Sequence, residues 1–145
     1  MSRGLDLISA DILISAMLIA GVAGQLAGGH LSDIFGRKEY VIAGSILAIP
    51  SFYGFIFTTG LISVFSLLLF GFALWSGFAV TVAIAHEMIP GKVAFTSGLM
   101  LGASLGVGGL GVALFGFLAA RYSLVAALQM LPFLIIIAGV LIYLL

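Results

Sequence analysis

Asp33, Arg37, Lys38 and Glu39 fall within seven residues of one another, in a chain of 145 residues that holds only five acidic and five basic side chains. A carboxylate in such a cluster can pair with the neighbouring guanidinium and with the positive N-terminal end of a helix. The plainer reading is a solvated turn whose basic residues face the cytoplasm. The next concentration of ionisable groups is His86-Glu87. It is not a zinc-protease motif, because Pro90 stands where the second histidine would be needed. It is either a polar helix end at the membrane interface or a proton-responsive pair, since ionisable groups within a membrane are functional candidates by default. Asp11 carries the same choice between an interfacial carboxylate and a substrate or proton site lining a cavity. Trp75 lies mid-segment, away from the interfacial belt that tryptophan favours. It faces lipid or core, or offers an aromatic wall to an apolar substrate. Gln25 and Gln129, also within apolar stretches, bond another helix more readily than a ligand.

Enzymatic chemistry finds little support. No Ser/His/Asp arrangement and no metal-ligand cluster stands at workable spacing. The absence of cysteine removes disulfides, thiolate metal sites and thiol catalysis together. Gly106-Val-Gly108-Gly109-Leu-Gly111 formally fits the dinucleotide pattern GxGxxG, but no strand precedes it and it lies inside a hydrophobic segment. We expect no catalytic residue, no cofactor and no resident metal. Net charge is zero, which gives no reason to expect nucleic acid as a partner.

The elements that must position these residues follow from hydropathy. The chain is 63% hydrophobic and 7% charged, with a mean hydropathy of +1.40. A soluble domain carries about 25% charged residues, so this is an all-α integral membrane protein with the lipid bilayer as its solvent. Five spans are expected, at about residues 7–29, 40–57, 61–89, 96–119 and 124–145, each near the ~20 residues that one crossing needs. The first run is too long for a cleaved leader. Ala20, Gly24 and Gly28 put small residues on one face of the first span for close helix packing. Gly98, Gly102 and Gly106 repeat the pattern in the fourth, followed by Gly108, Gly109, Gly111 and Gly116. The plain function of this face is packing. A pliable helix at an interface is the functional alternative. Pro50 should kink the second span, Pro132 falls within the fifth, and Thr96 or Ser97 should cap the fourth. Arg37, Lys38 and Lys92 outnumber Arg3 and Arg121 on the opposite side. That bias puts the charged turn in the cytoplasm, the N-terminus outside and the C-terminus inside.

Gly29-His-Leu-Ser-Asp33-Ile-Phe-Gly36-Arg37-Lys38 resembles the cytoplasmic signature of the major facilitator superfamily, Gly-x-x-x-Asp-Arg-x-Gly-Arg-Arg/Lys. Ile34 stands where the family prefers arginine, a departure commoner in the family's second copy, between its eighth and ninth helices. The following order is Ala-His-Glu-Met-Ile-Pro-Gly, a glycine-rich helix, Ala-Ala-Arg-Tyr-Ser and a last helix. It is similar to helices ten to twelve, most of all in fosmidomycin-resistance-type efflux transporters. The resemblance covers nearly the whole chain.

It implies a partial major-facilitator fold, helices eight to twelve, in the inner (plasma) membrane. The implied function is secondary active, proton-coupled efflux of a small organic molecule or drug by alternating access. Gly29, Asp33, Gly36, Arg37 and Lys38 would form a gate. Its partner would be a missing N-terminal half or a separate chain. The other reading is a non-transporting helical membrane module, or an inactive truncated transporter. In a full-length transporter carrying this stretch, Asp33→Asn should cut transport while leaving membrane insertion intact. Unchanged transport would remove the gating role.

Overall fold

The computed structural model describes residues 7–144. Arg3 and Leu145, which figured in the expected topology, lie outside the described residues. The order of elements is α1 (Leu7–Phe35), α2 (Arg37–Phe57), α3 (Gly60–Met88), α4 (Val93–Arg121), α5 (Leu124–Gln129) and α6 (Leu131–Leu144). With α5 and α6 taken as one segment, five stretches are long and apolar enough to cross a membrane.

The helices outrun the apolar stretches from which they were expected. The region anticipated as a charged turn is helical except at Gly36. Nothing between His30 and Phe35 breaks a helix, so α1 continues past the last apolar turn. Gly36 then turns the chain with φ +96°, where an L side chain is strained, and a Cβ there would collide with the Glu39 carboxylate. Hydrogen bonds from the Gly36 N–H to the Ser32 carbonyl (3.1 Å) and from the Tyr40 N–H to the Gly36 carbonyl (3.0 Å) carry helical spacing across the break.

Thr96 and Ser97 are not caps, because α4 begins earlier, after Lys92. The Thr96 hydroxyl instead donates to the Lys92 carbonyl at 3.1 Å. α2 passes unbroken through Pro50, and the next residue, Ser51, donates its hydroxyl to the Leu47 carbonyl at 2.7 Å. The expected fifth span is present as Leu124–Leu144, made of two helices that meet at Met130. Ser123 Oγ caps α5 by accepting from the Ala126 N–H at 3.1 Å. Pro132 then sits in the first turn of α6, where its missing N–H costs no helical bond.

α3 is the central element. α1 and α2 both pack on it, α6 packs on α2, and α4 meets α3 more sparingly. The α1–α3 contact is built from small residues. Gly21 lies against the Trp75 ring, Gly24 against the Phe72 backbone carbonyl, Gly28 against Ser76, and Gly71 of α3 against Met17. This is the expected glycine face, shifted slightly: Gly21 rather than Ala20 is buried with Gly24 and Gly28. Elsewhere too the buried set is mostly small, as with Ala48, Ser51, Ala73 and Ser76, while large side chains such as Leu61 (88% exposed) point outward. That inverts a soluble core and suits helices whose outer solvent is hydrocarbon.

Most hydroxyls within the spans are tied to their own helices, although Ser63 of α3 donates to the Phe55 carbonyl of α2 at 3.1 Å. Ser45 donates to the Val41 carbonyl at 2.9 Å and Thr81 to the Gly77 carbonyl at 2.8 Å. No buried side-chain nitrogen or oxygen among the described residues lacks a partner, as a solvent without hydrogen bonds requires.

Gly24→Ala should therefore destabilise the α1–α3 pair by about 1–3 kcal/mol, the usual cost of overpacking. At Gly29 an added Cβ meets nothing within 4 Å, and Gly29→Ala should be neutral or stabilising. Unfolding of the two variants in mixed micelles compares them directly. Equal stability would contradict the close approach of the backbones.

Candidate functional site

Two features stand out: an ion-pair node at one end of the bundle and an apolar cavity within it. The node centres on Arg37, in the first turn of α2. Its Nη2 lies 3.2 Å from Asp33 Oδ1 at the end of α1, and its Nη1 lies 3.1 Å from Glu87 Oε1 at the end of α3. One guanidinium thus ties three helix ends together, using the fork of donors that suits arginine to carboxylates. The Asp33–Arg37 contact follows from i,i+4 spacing, which survives the Gly36 turn. The Arg37–Glu87 contact follows from topology: α1 and α3 run parallel and α2 returns between their ends. The Arg37 side chain is 29% exposed and both carboxylates are more than 60% exposed. Each pair is therefore worth no more than about 1 kcal/mol. Such contacts orient the helix ends without locking them.

His86 and Glu87, adjacent in sequence, do not act as a pair. Glu87 reaches α2, whereas His86 Nε2 lies 2.8 Å from Ser97 Oγ on α4. Lys38 is partly buried beside the node, and Gly29 is exposed one turn before Asp33. Asp11 is exposed near the other end of α1, about 33 Å from Asp33 at 1.5 Å per helical residue. The structure does not bring it to His86 or Glu87.

The cavity, about 610 Å³, lies between α2, α3, α4 and α6. Trp75 and Phe78 form part of its wall and meet edge to face, with ring centroids 6.1 Å apart. Ser45, Thr81 and Ser104 contribute the hydroxyls; no ionisable side chain lines it. A volume of this size suits a small organic molecule, and the lining suits an uncharged, apolar one. Proton chemistry has no group to use there.

The glycine repeat of α4 behaves differently from that of α1. At Gly98, Gly102, Gly106 and Gly109 an added Cβ would meet nothing within 4 Å. Thr96 is the buried residue of this helix. Among the described residues, no other helix makes the close packing that the spacing predicts.

The Arg37–Glu87 bridge was not anticipated from sequence. Its signal is that residue 37 opens α2 and residue 87 closes α3, the next antiparallel crossing, so both lie at the same end. Among the described residues, no group of three or more His, Cys, Asp or Glu could hold a metal ion.

No protein-family model matches the chain, and no solved structure matches it. Over 136 residues, 90% of its length, it is 37% identical to the fosmidomycin resistance protein of Escherichia coli. Over 142 residues, 94% of its length, it is 36% identical to an uncharacterized MFS-type transporter, YfnC, of Bacillus subtilis. These alignments take in 32% and 33% of the two relatives, so the chain spans about a third of the length of the curated relatives it matches. Identity at this level across nearly the whole chain and five apolar helices among the described residues agree: over this third of their length the chain is similar to the fosmidomycin resistance protein and to an MFS-type transporter.

Proposed function

We propose that the chain forms part of a secondary active transporter that exports a small organic molecule by alternating access, coupled to protons. Its likeness to a drug-resistance protein and to an MFS-type transporter supports a transport role. The observation that carries the mechanism is the Arg37 node, which joins the ends of α1, α2 and α3 through two half-exposed ion pairs. Contacts this weak can break and re-form as a gate must, because an equilibrium between two states is shifted by only a few kcal/mol. Arg37, Lys38 and Lys92 favour the cytoplasmic side for this end, in the inner (plasma) membrane, with the N-terminus outside and the C-terminus inside. Gly98, Gly102, Gly106 and Gly109 offer α4 as the face toward a second half, supplied by the same polypeptide or by a partner chain. The apolar cavity favours cargo with an uncharged, apolar portion.

A chimera tests this directly. The matching third of the Escherichia coli relative is replaced by this chain and expressed in cells lacking that relative. Fosmidomycin resistance should be retained, while the chain alone in liposomes should transport nothing. A chimera that reaches the membrane at normal levels yet confers no resistance would count against a fosmidomycin-type transporter segment. Within the chimera, Glu87→Gln should lower efflux by up to about fivefold, the size of one exposed ion pair, and Arg37→Ala, which removes both pairs, by more. The double variant should fall no further than Arg37→Ala alone, because Glu87 acts through Arg37. Full activity in either single variant would remove the node from the mechanism.

A further inference from the structure

α3 and α4 are antiparallel and joined by a short turn, Ile89 to Lys92, that contains Pro90 and a left-handed Gly91 (φ +84°). α4 touches α3 only sparingly, which fits a V with its apex at that turn. Close to the apex, His86 Nε2 and Ser97 Oγ stand 2.8 Å apart, the cross-helix hydrogen bond between the two arms. Thr96, beside Ser97, is 1% exposed, so the seat of α4 on the bundle is concentrated in its first turn. Farther from the apex the arms part around the cavity, with Trp75 and Phe78 on one side and Leu101 and Ser104 on the other.

The helical phases agree with this arrangement. Ser97, Leu101 and Ser104 follow one another at i, i+4 and i+7 on one face of α4. On α3, His86 lies eleven residues beyond Trp75, three turns on and on the same face. The hydrogen-bonded residues therefore belong to the two faces that wall the cavity. A helix of 29 residues is about 43 Å long, so a small change of angle at the apex becomes a large change of separation along the arms.

We propose that His86 is a positioning residue: through Ser97 it clasps the first turn of α4 to α3 and thereby sets the width of the cavity between α2, α3, α4 and α6. The clasp is a property of the chain's own packing and is independent of any transport. It also assigns different tasks to two neighbours in sequence, with Glu87 holding α2 and His86 holding α4.

The chain contains no cysteine, so Ser45→Cys on α2 and Ser104→Cys on α4 supply two unique labelling sites across the cavity. Spin labels there, with the chain in lipid nanodiscs, report the separation of the walls. With His86 and Ser97 intact the distance distribution should be narrow. His86→Ala should raise the population of longer separations about fivefold, the effect of losing one neutral hydrogen bond. Ser97→Ala should do the same, and the two together should add nothing. His86→Gln, whose amide can reach the place of the imidazole Nε2, should restore the narrow distribution, which a general loss of packing would not allow. Trp75, the sole tryptophan, gives a second readout: quenching by brominated lipid tails should rise in His86→Ala and return to the original level in His86→Gln. Distances unchanged by His86→Ala, additive effects of the two alanine variants, or failure of glutamine to restore the distribution would each overturn the clasp.

Discussion

The close approach of α1 to α3 is the contact on which the remaining geometry depends. Gly21, Gly24 and Gly28 let the backbone of one helix rest on Trp75, Phe72 and Ser76 of the other. Between helices in lipid there is little hydrophobic gain to be had, so association rests on close packing, and close packing rests on missing side chains. The contact also fixes register. The same sequence offset separates Met17 from Gly71, Gly21 from Trp75, and Asp33 from Glu87. Once the glycines have set α1 beside α3, the two carboxylates arrive at one height, and the turn at Gly36 delivers Arg37 between them. The ion-pair node is a consequence of helix packing, not an independent device.

Hydropathy made the five spans and the all-α class legible, because a bilayer admits few alternatives. The ends were less legible. Apolar runs report where lipid is, whereas helices stop where the backbone is broken. α1 therefore continues through Asp33 to Phe35, and α4 starts before Thr96. The split at Met130 was foreshadowed by Pro132, but a proline in an apolar run reads equally well as a kink. Of the site residues, the Asp33–Arg37 pairing was visible in the spacing. The bridge to Glu87 was not, because it joins residues fifty positions apart through the register of two other helices. His86 and Glu87 show the converse: neighbours in sequence diverge toward different helices because a helix turns by 100° per residue.

The two glycine repeats make the same point about packing. Gly24 and Gly28 on α1, and Gly98 and Gly102 on α4, share a four-residue spacing, yet the first pair is buried and the second faces open space. A small-residue face states that a backbone can be approached. Whether it is approached depends on which helix lies next to it, and that is set by connectivity. α1 finds α3 because α2 returns the chain to the correct side. α4 follows α3 and leaves its glycine face outward.

The distribution of polar groups explains why motion, where it occurs, should be controlled from the helix ends. Within the spans most hydroxyls fold back onto their own helix carbonyls, as Ser45 and Thr81 do, and these neither bind helices together nor resist their separation; Ser63, which donates to Phe55 of α2, sits near the start of α3. The cavity wall holds no charge. Two side-chain contacts between helices cluster at the C-terminal end of α3, where Glu87 meets Arg37 and His86 meets Ser97. Both are worth little in free energy, and both act near the ends of long, stiff rods. A small energetic bias at that end can therefore produce a large displacement at mid-membrane. α3 carries both contacts and also Trp75, so any rearrangement at the node must pass through the helix that walls the cavity.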